Sequence, residues 1–439
     1  MKIFEADGKQ EIDFFREMKK RAEEVSQATD SIVREIIEKV GNKGDEAVRN
    51  YGIAFDGGCP DEFAVPREEM KKAFDDADPD FQKALLHAKE NITQYHKKQC
   101  TKDYEIRREK GIRLGLLTRG MNKVGIYVPG GTAAYPSTVL MNAIPARLAG
   151  VKEIIMVTPP SVSSGANKEI ICSANPDILC AAYIAGVDRV LLAGGAQAIA
   201  ALALGTQSFP KVDKIVGPGN IYVATAKRLL YGRVDIDMIA GPSEILIMAD
   251  ESANPAFIAA DLMSQAEHDV LAASVLLTTS RKIGEETGNE IRRQLEVSPR
   301  RHIIEESIKN YGAIIVCSSK KQMICLANEI APEHLEIMME DPMDLLQDIR
   351  NAGSVFCGDF SPEPLGDYYA GTNHVLPTSG TSRFASPLGV YSFVKRMSYT
   401  YYSKEALEDA RKDITEIAAK EGLYAHKNSI DIRFKKDGK

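Results

Sequence analysis

From Val124 onward the chain alternates short apolar runs with helical stripes, and few architectures accept that pattern. Strand-like runs fall at Glu153–Thr158, Arg189–Ala193 and Lys214–Val216, each followed by Pro, Gly or both and then a helix. A second series falls at Glu244–Met248, Ala273–Thr279, Ala313–Ser318 and Ser354–Gly358. Parallel neighbours need a crossover, and a helix is the usual one, so βαβα repetition predicts parallel sheets covered by helices. At 439 residues the chain exceeds one simple core, and two doubly wound units are expected. No repeat relates them at the sequence level.

Up to about residue 100 the pattern is helical. Ile12, Phe15, Met18 and Ala22 keep to one stripe, and Ile32, Ile36, Ile37 and Val40 repeat it in what reads as a second helix. Pro79–Cys100 reads as a third. Short strands are expected over 103–128. A mixed tail begins near residue 389 and ends in the strand-like Ile430–Phe434.

Charge and composition exclude several classes. A net charge of -7 argues against non-specific nucleic-acid binding, which needs clustered Lys and Arg. The basic groups Lys19-Lys20-Arg21 and Lys435-Lys436 sit beside acids or at a terminus and read as solvated faces. The N-terminus turns polar at once, and no window approaches the roughly 20 apolar residues of a membrane span, so the chain is expected in the cytoplasm. Seven Cys without a Cys-x-x-Cys suggest neither a disulfide framework nor a zinc ribbon. Cys172, Cys180, Cys317, Cys325 and Cys357 read as small core residues.

Ligands of a doubly wound sheet sit at the carboxyl ends of its strands. Three loops there are rich in Gly: Pro129-Gly130-Gly131, Gly194-Gly195-Ala196-Gln197 and Gly217-Pro218-Gly219-Asn220. Each leaves a strand and opens a helix, which suits backbone amides approaching a phosphate. None matches Gly-x-Gly-x-x-Gly, and tight turns needing positive φ explain any one of them equally.

The seven histidines divide. His87, His96 and His302 look like ordinary surface or helix residues, whereas His268, His334, His374 and His426 lie among Gly, Pro or acidic neighbours. Gln265-Ala266-Glu267-His268 closes a helix, and its i, i+3 spacing puts a carboxamide and an imidazole on one face, donors that suit zinc. Asp367 and His426 are available to complete a site, although spacing does not establish that they meet. Glu333-His334 sets a carboxylate beside an imidazole, either two proton-transfer groups or a solvated turn with a local cap. No Cys lies beside His or in a Gly-rich turn, so a thiol nucleophile finds no support.

Together these motifs resemble the histidinol dehydrogenase family. The resemblance rests on Gly125–Met141, Gly194–Gln197, Val216–Asn220, Ala240–Glu244, Ser264–Asp269, Ala331–Glu336, Gly371–His374 and Glu421–Lys427, in order along the chain. It implies an α/β fold of two incomplete Rossmann-like domains with a helical N-terminal region and a small C-terminal tail. The implied parts are an arm at 1–22, a zinc and catalytic domain at 23–126 and 243–388, an NAD-side domain at 127–242, and a tail at 389–439 that crosses to the partner of an intertwined homodimer.

The family's zinc ligands correspond to Gln265, His268, Asp367 and His426, one zinc per subunit, and its acid–base pair to Glu333 and His334. Substrate contacts correspond to Ser137, Ser243, His334, His374 and Glu421 besides the zinc ligands, and NAD contacts to Tyr127, Gln197 and Asn220. The implied reaction takes L-histidinol through L-histidinaldehyde to L-histidine with two NAD, the last steps of histidine biosynthesis. Two alternatives stay open. One is a relative on the same scaffold that oxidises another small polar alcohol, such as a sulfonated diol; the other is a non-catalytic zinc- or nucleotide-binding protein.

Overall fold

The computed structural model describes residues 1–130, 135–164 and 170–435, and of residues 19–28 and 164 the backbone alone. Gly131 with the rest of 131–134, Lys436, and the side chains of Lys19, Lys20 and Arg21 lie outside the described residues. The chain divides into two compact units, one of residues 1–99 and 121–393, the other of 100–120 and 394–439.

The larger unit holds two six-stranded sheets built alike. In one, the strands Glu244–Ala249, Ala273–Thr278, Gly312–Val316, His334–Met338 and Ser354–Cys357 run parallel in the order third, second, first, fourth, fifth. In the other, Lys123–Tyr127, Glu153–Thr158, Arg189–Leu192, Lys214–Val216 and Asp235–Ile236 follow the same order, all parallel. Each sheet gains a sixth strand beside its third: Lys2–Glu5 in the first, parallel, and Ala64–Val65 in the second, antiparallel. The order reverses between first and fourth strands, which is the switch point of a doubly wound sheet.

Both faces of each sheet are covered, which is why the strands read as near-continuous apolar runs. Along Glu244–Ala249, Ile245 and Ile247 join Ile258 and Leu262 of the helix Pro255–Ala266, while Leu246 and Met248 face Phe14, Phe15 and Met18. In the other sheet Ile126 and Met156 pack with Leu85 and Ile92, and Ile155 and Val157 with Val33, Ile36 and Val40. Residues 64–65 and 123–126, grouped from the sequence with 243–388, thus belong to the sheet that 127–242 builds.

Several elements differ from expectation. The two N-terminal stripes lie on one helix, Gln10–Lys43, because no Gly or Pro interrupts them before Gly41. Its first turns cover one sheet and its later turns the other. Ile430–Phe434 is not a strand: the helix Tyr424–Asp431 runs into a short 3-10 turn, Ile432–Phe434. The strand His334–Met338 was masked by His334 and Glu336 on its buried face, which break the apolar run. Cys325 is exposed, whereas Cys180 and Cys317 are core residues as read. His96, read as a surface or helix residue, is fully buried. Its Nδ1 donates to the Ile92 carbonyl at 2.9 Å, and Nε2 faces Asn373, next to His374.

In the smaller unit, strands Tyr104–Arg108 and Ile112–Gly120 form a hairpin whose second strand also pairs with Val394–Tyr401. The helices Lys404–Lys420 and Tyr424–Asp431 complete it. Among the described residues, no helix is long and apolar enough to cross a membrane.

Candidate active site

Glu333 and His334 stand at the amino end of the first sheet, not at the carboxyl ends where ligand loops were sought. The helix Lys320–Ile330 ends at Ala331, held in the left-handed region at φ 54°, and this reversal delivers Pro332 and Glu333 to the strand His334–Met338. A left-handed non-glycine residue is strained, and the hydroxyl of Ser382 holds the Ala331 carbonyl at 2.6 Å.

Both side chains grip the backbone of Glu244, the first residue of the neighbouring strand. The Glu333 carboxylate accepts the Glu244 N–H at 2.9 Å, and His334 Nδ1 donates to the Glu244 carbonyl at 3.0 Å. His334 Nε2 is buried with no hydrogen-bond partner among the described residues, 3.9 Å from Glu363. Burial pushes the Glu333 carboxyl well above the usual range. Burial also lowers His334, against the nearby Asp367 carboxylate, which favours the charged ring. Ser243 precedes Glu244 directly and is half-buried.

The helix Pro255–Ala266 runs back toward the same end, which explains how its last turn arrives there. Gln265 lies in that turn, and His268 follows the helix end, exposed, with its N–H on the Gln265 carbonyl. The Gln265 side-chain oxygen is buried with no hydrogen-bond partner among the described residues. Ligand atoms of His268, Glu363 and Asp367 all lie within 4.8 Å of one another. His374 comes within 3.9 Å of Asp367, and its Nε2 lies 3.5 Å from the hydroxyl of Thr138, the residue after Ser137. Burial lowers His374 too, again against Asp367.

The structure therefore brings together Glu333, His334, His268, Asp367 and His374, with Gln265 one turn from His268 and Ser137 beside Thr138. Glu421 and His426 belong to the smaller unit and are exposed there. Glu363 is the acid that sequence reasoning missed. It opens the short helix Glu363–Tyr368 that carries Asp367, and Pro362-Glu363-Pro364 was the available signal.

At the second sheet, the loops at Gly194–Gln197 and Gly217–Asn220 follow the carboxyl ends of their strands, as read, and both reach Tyr127. The Tyr127 hydroxyl accepts the Gly195 N–H at 3.1 Å, and a Cβ on Gly217, whose φ is 110°, would meet the Tyr127 carbonyl at 2.1 Å. Gln197 is buried, with neither amide atom hydrogen-bonded among the described residues, while Asn220 is exposed and caps the helix Ile221–Leu230.

Comparison with known proteins gives the family. The sequence model of one family, described as histidinol dehydrogenase, matches residues 19–434. A histidinol dehydrogenase of Clostridium acetobutylicum is 54% identical over 422 residues, covering 96% of each chain. One of Caldanaerobacter subterraneus subsp. tengcongensis is 52% identical over 439 residues, the whole of both chains. The crystal structure of histidinol dehydrogenase from Elizabethkingia anophelis superimposes with a TM-score of 0.86 at 38% identity, covering 92% of each chain. On matches of this length and strength, the chain belongs to the histidinol dehydrogenase family of oxidoreductases.

Proposed function

We propose that the chain oxidises L-histidinol through L-histidinaldehyde to L-histidine with zinc and two NAD, in the cytoplasm, as the last steps of histidine biosynthesis. One observation carries the reading: a buried imidazole, tied at Nδ1 and with no hydrogen-bond partner at Nε2 among the described residues, stands beside a cluster of donors that could hold a metal.

The donor set fits a metal. The orphaned Gln265 oxygen costs free energy where it is, and a cation would satisfy it together with His268 and Asp367. His426 would be the fourth ligand, one zinc per subunit. Zinc, when bound, supplies a redox-inert charge that fixes the substrate's imidazole and amine. Ser137, Ser243, His374 and Glu421 would line the rest of the substrate site, and Tyr127, Gln197 and Asn220 the dinucleotide site. Of those three, Asn220 is the exposed one.

His334 then takes the alcohol proton on Nε2, since the Glu244 carbonyl occupies the other nitrogen. An aldehyde has no second hydride to give until water adds to it. Glu333, held beside His334 and made more basic by burial, removes the proton from that water. As the hydroxide adds, His334 returns its proton from Nε2 to the aldehyde oxygen, and so is free to serve again as base in the second oxidation. Glu421 and His426 would reach the site from the partner of a homodimer.

Purified protein mixed with L-histidinol and NAD should form two NADH per histidinol consumed. No NADH under those conditions would overturn the reading. Faster NADH formation with a sulfonated diol would move it to a relative on the same scaffold.

A further inference from the structure

Glu336 is 1% exposed, lies two residues after His334 and points to the same face of the sheet. Nothing in the proposed reaction uses it, although a buried carboxyl is costly and needs a compensating partner. Its surroundings account for it. One oxygen accepts the Glu363 N–H at 2.7 Å, the bond that starts the helix Glu363–Tyr368. Its other oxygen is buried with no hydrogen-bond partner among the described residues, and the carboxyl is electrostatically coupled to that of Asp261 on the helix Pro255–Ala266, an arrangement that one shared proton would satisfy.

Each of those helices carries part of the donor cluster. Asp261 stands one turn before Gln265, and Glu363 one turn before Asp367, the i, i+4 spacing that stacks side chains on one face. A third thread joins the same two helices, because the Ser264 hydroxyl donates to the Asp261 carbonyl at 2.9 Å and lies 3.4 Å from the Glu363 carboxylate. One buried side chain on the strand His334–Met338 therefore links the helix of Gln265 and His268 on one side to the helix of Asp367 on the other.

We propose that Glu336 is a positioning residue for the metal site, tying the helix that bears Gln265 and His268 to the helix that bears Asp367. The inference rests on the zinc reading above. It requires both ties, the hydrogen bond accepted from Glu363 and the proton shared with Asp261. A hydrogen bond between two carboxyl groups contains one proton, in keeping with burial pushing Asp261 up to about 6 and Glu336 well above the usual range.

The chemistry of the tie dictates the test. Glu336→Gln keeps a carbonyl oxygen for the Glu363 N–H and offers an N–H to the Asp261 carboxylate, so both bonds survive. Glu336→Ala loses both. Zinc affinity is measured on full-length protein by competition with a colorimetric chelator, and folding is followed by near-UV circular dichroism. Wild type and Glu336→Gln should agree within about twofold, while Glu336→Ala should bind zinc about 10–100-fold more weakly, the usual effect of removing a group that orients ligands.

Should Glu336→Ala fail to fold, Asp261→Ala cuts the tie at its other end and should weaken zinc by a similar factor. Folded Glu336→Ala with wild-type zinc affinity would overturn the proposal, and so would Glu336→Gln falling as far as Glu336→Ala. Wild-type protein that binds no zinc at all would instead remove the reading beneath it.

Discussion

His334 donates its Nδ1–H to the Glu244 carbonyl oxygen at 3.0 Å, and this bond decides which nitrogen of the ring is basic. A carbonyl can only accept, so the tautomer is fixed and the lone pair lies on Nε2. Burial lowers the ring's pKa below the ordinary imidazole value of 6.5. The neutral, proton-accepting form therefore persists to lower pH than in a free imidazole. The acid limb of kcat/KM for histidinol should fall below 6.5, and His334→Asn should abolish it while slowing both oxidations ~10²–10⁴-fold. An acid limb at or above 6.5 would contradict the assignment.

Glu333 is held by the Glu244 N–H at 2.9 Å, and a carboxamide oxygen can accept the same bond. Glu333→Gln thus keeps its place but cannot take a proton. If the group acts only on water, alcohol oxidation should stay near wild type and aldehyde oxidation should drop ~10²–10⁴-fold. Single-turnover rates with histidinol and with histidinaldehyde separate the two, and equal losses would count against the division of labour.

The acids around the donor cluster should make metal-free protein sensitive to alkali. Burial pushes Asp261 up to about 6 from 3.8 and Glu363 up to about 9 from 4.5. At these two acids the folded state holds more protons than the unfolded chain, so their contribution to stability is full below pH about 4 and is lost as pH rises toward about 9. The buried histidines, lowered from 6.5, act with the opposite sign only below that value, so the decline is read between 6.5 and about 9. Urea midpoints of chelator-treated protein at several pH values would show this. Glu363→Gln should flatten the upper part of the decline; a midpoint that rises with pH over that span would refute the argument.

Much of this was legible in sequence because both sheets are covered on two faces. Glu153–Thr158 and Lys214–Val216 carry the unbroken apolar runs Ile154–Val157 and Ile215–Val216, and their observed ends match the reading. His334–Met338 escaped because His334 and Glu336 interrupt its apolar run, although all five of its residues are buried. Glu333 and His334 were found by chemical type and motif, yet their place at the amino end of the sheet was not. That follows from the reversal at Ala331, which ends the helix Lys320–Ile330 and lets the strand begin at His334. Glu363 and Asp261 were missed because their partners lie 27 or more residues away.

Asp237 and Lys227 form a buried ion pair, 1% and 2% exposed, that clamps the Gly217 loop from both sides. Asp237 accepts the Gly217 N–H at 2.8 Å, and Lys227 donates to the Gly217 carbonyl at 2.9 Å. Asp237→Asn leaves a buried ammonium without its counter-charge, and unfolding free energy should fall by about 3–5 kcal/mol. Adding Lys227→Met removes that charge as well, so the double variant should lose less than Asp237→Asn alone. Urea titration of wild type, Asp237→Asn and the double variant checks the order, and a double variant weaker than Asp237→Asn alone would show that the loop, not the charge, dominates.

Glu421 and His426 should act on the partner's site in a homodimer. They lie in a unit of residues 100–120 and 394–439 whose own core is thin: its long helix Lys404–Lys420 buries only Ala406 and Ala418, and Tyr424–Asp431 buries nothing. Ile417, Leu423, Tyr424 and Ile432 are all more than 40% exposed, apolar surface that calls for a cover. Glu333→Gln and His426→Ala homodimers should each be nearly inactive for the complete reaction. The two are unfolded together and refolded as mixed dimers. With a shared site, one copy combines both lesions, while the other takes intact Glu333 from one chain and intact His426 from its partner. Activity then returns to about half the wild-type value, on the premise that the two sites of a symmetric dimer work independently. With sites built within single chains, every site keeps one lesion. Activity that stays at the level of the parent variants, with mixed dimers confirmed by mass, would rule the shared site out.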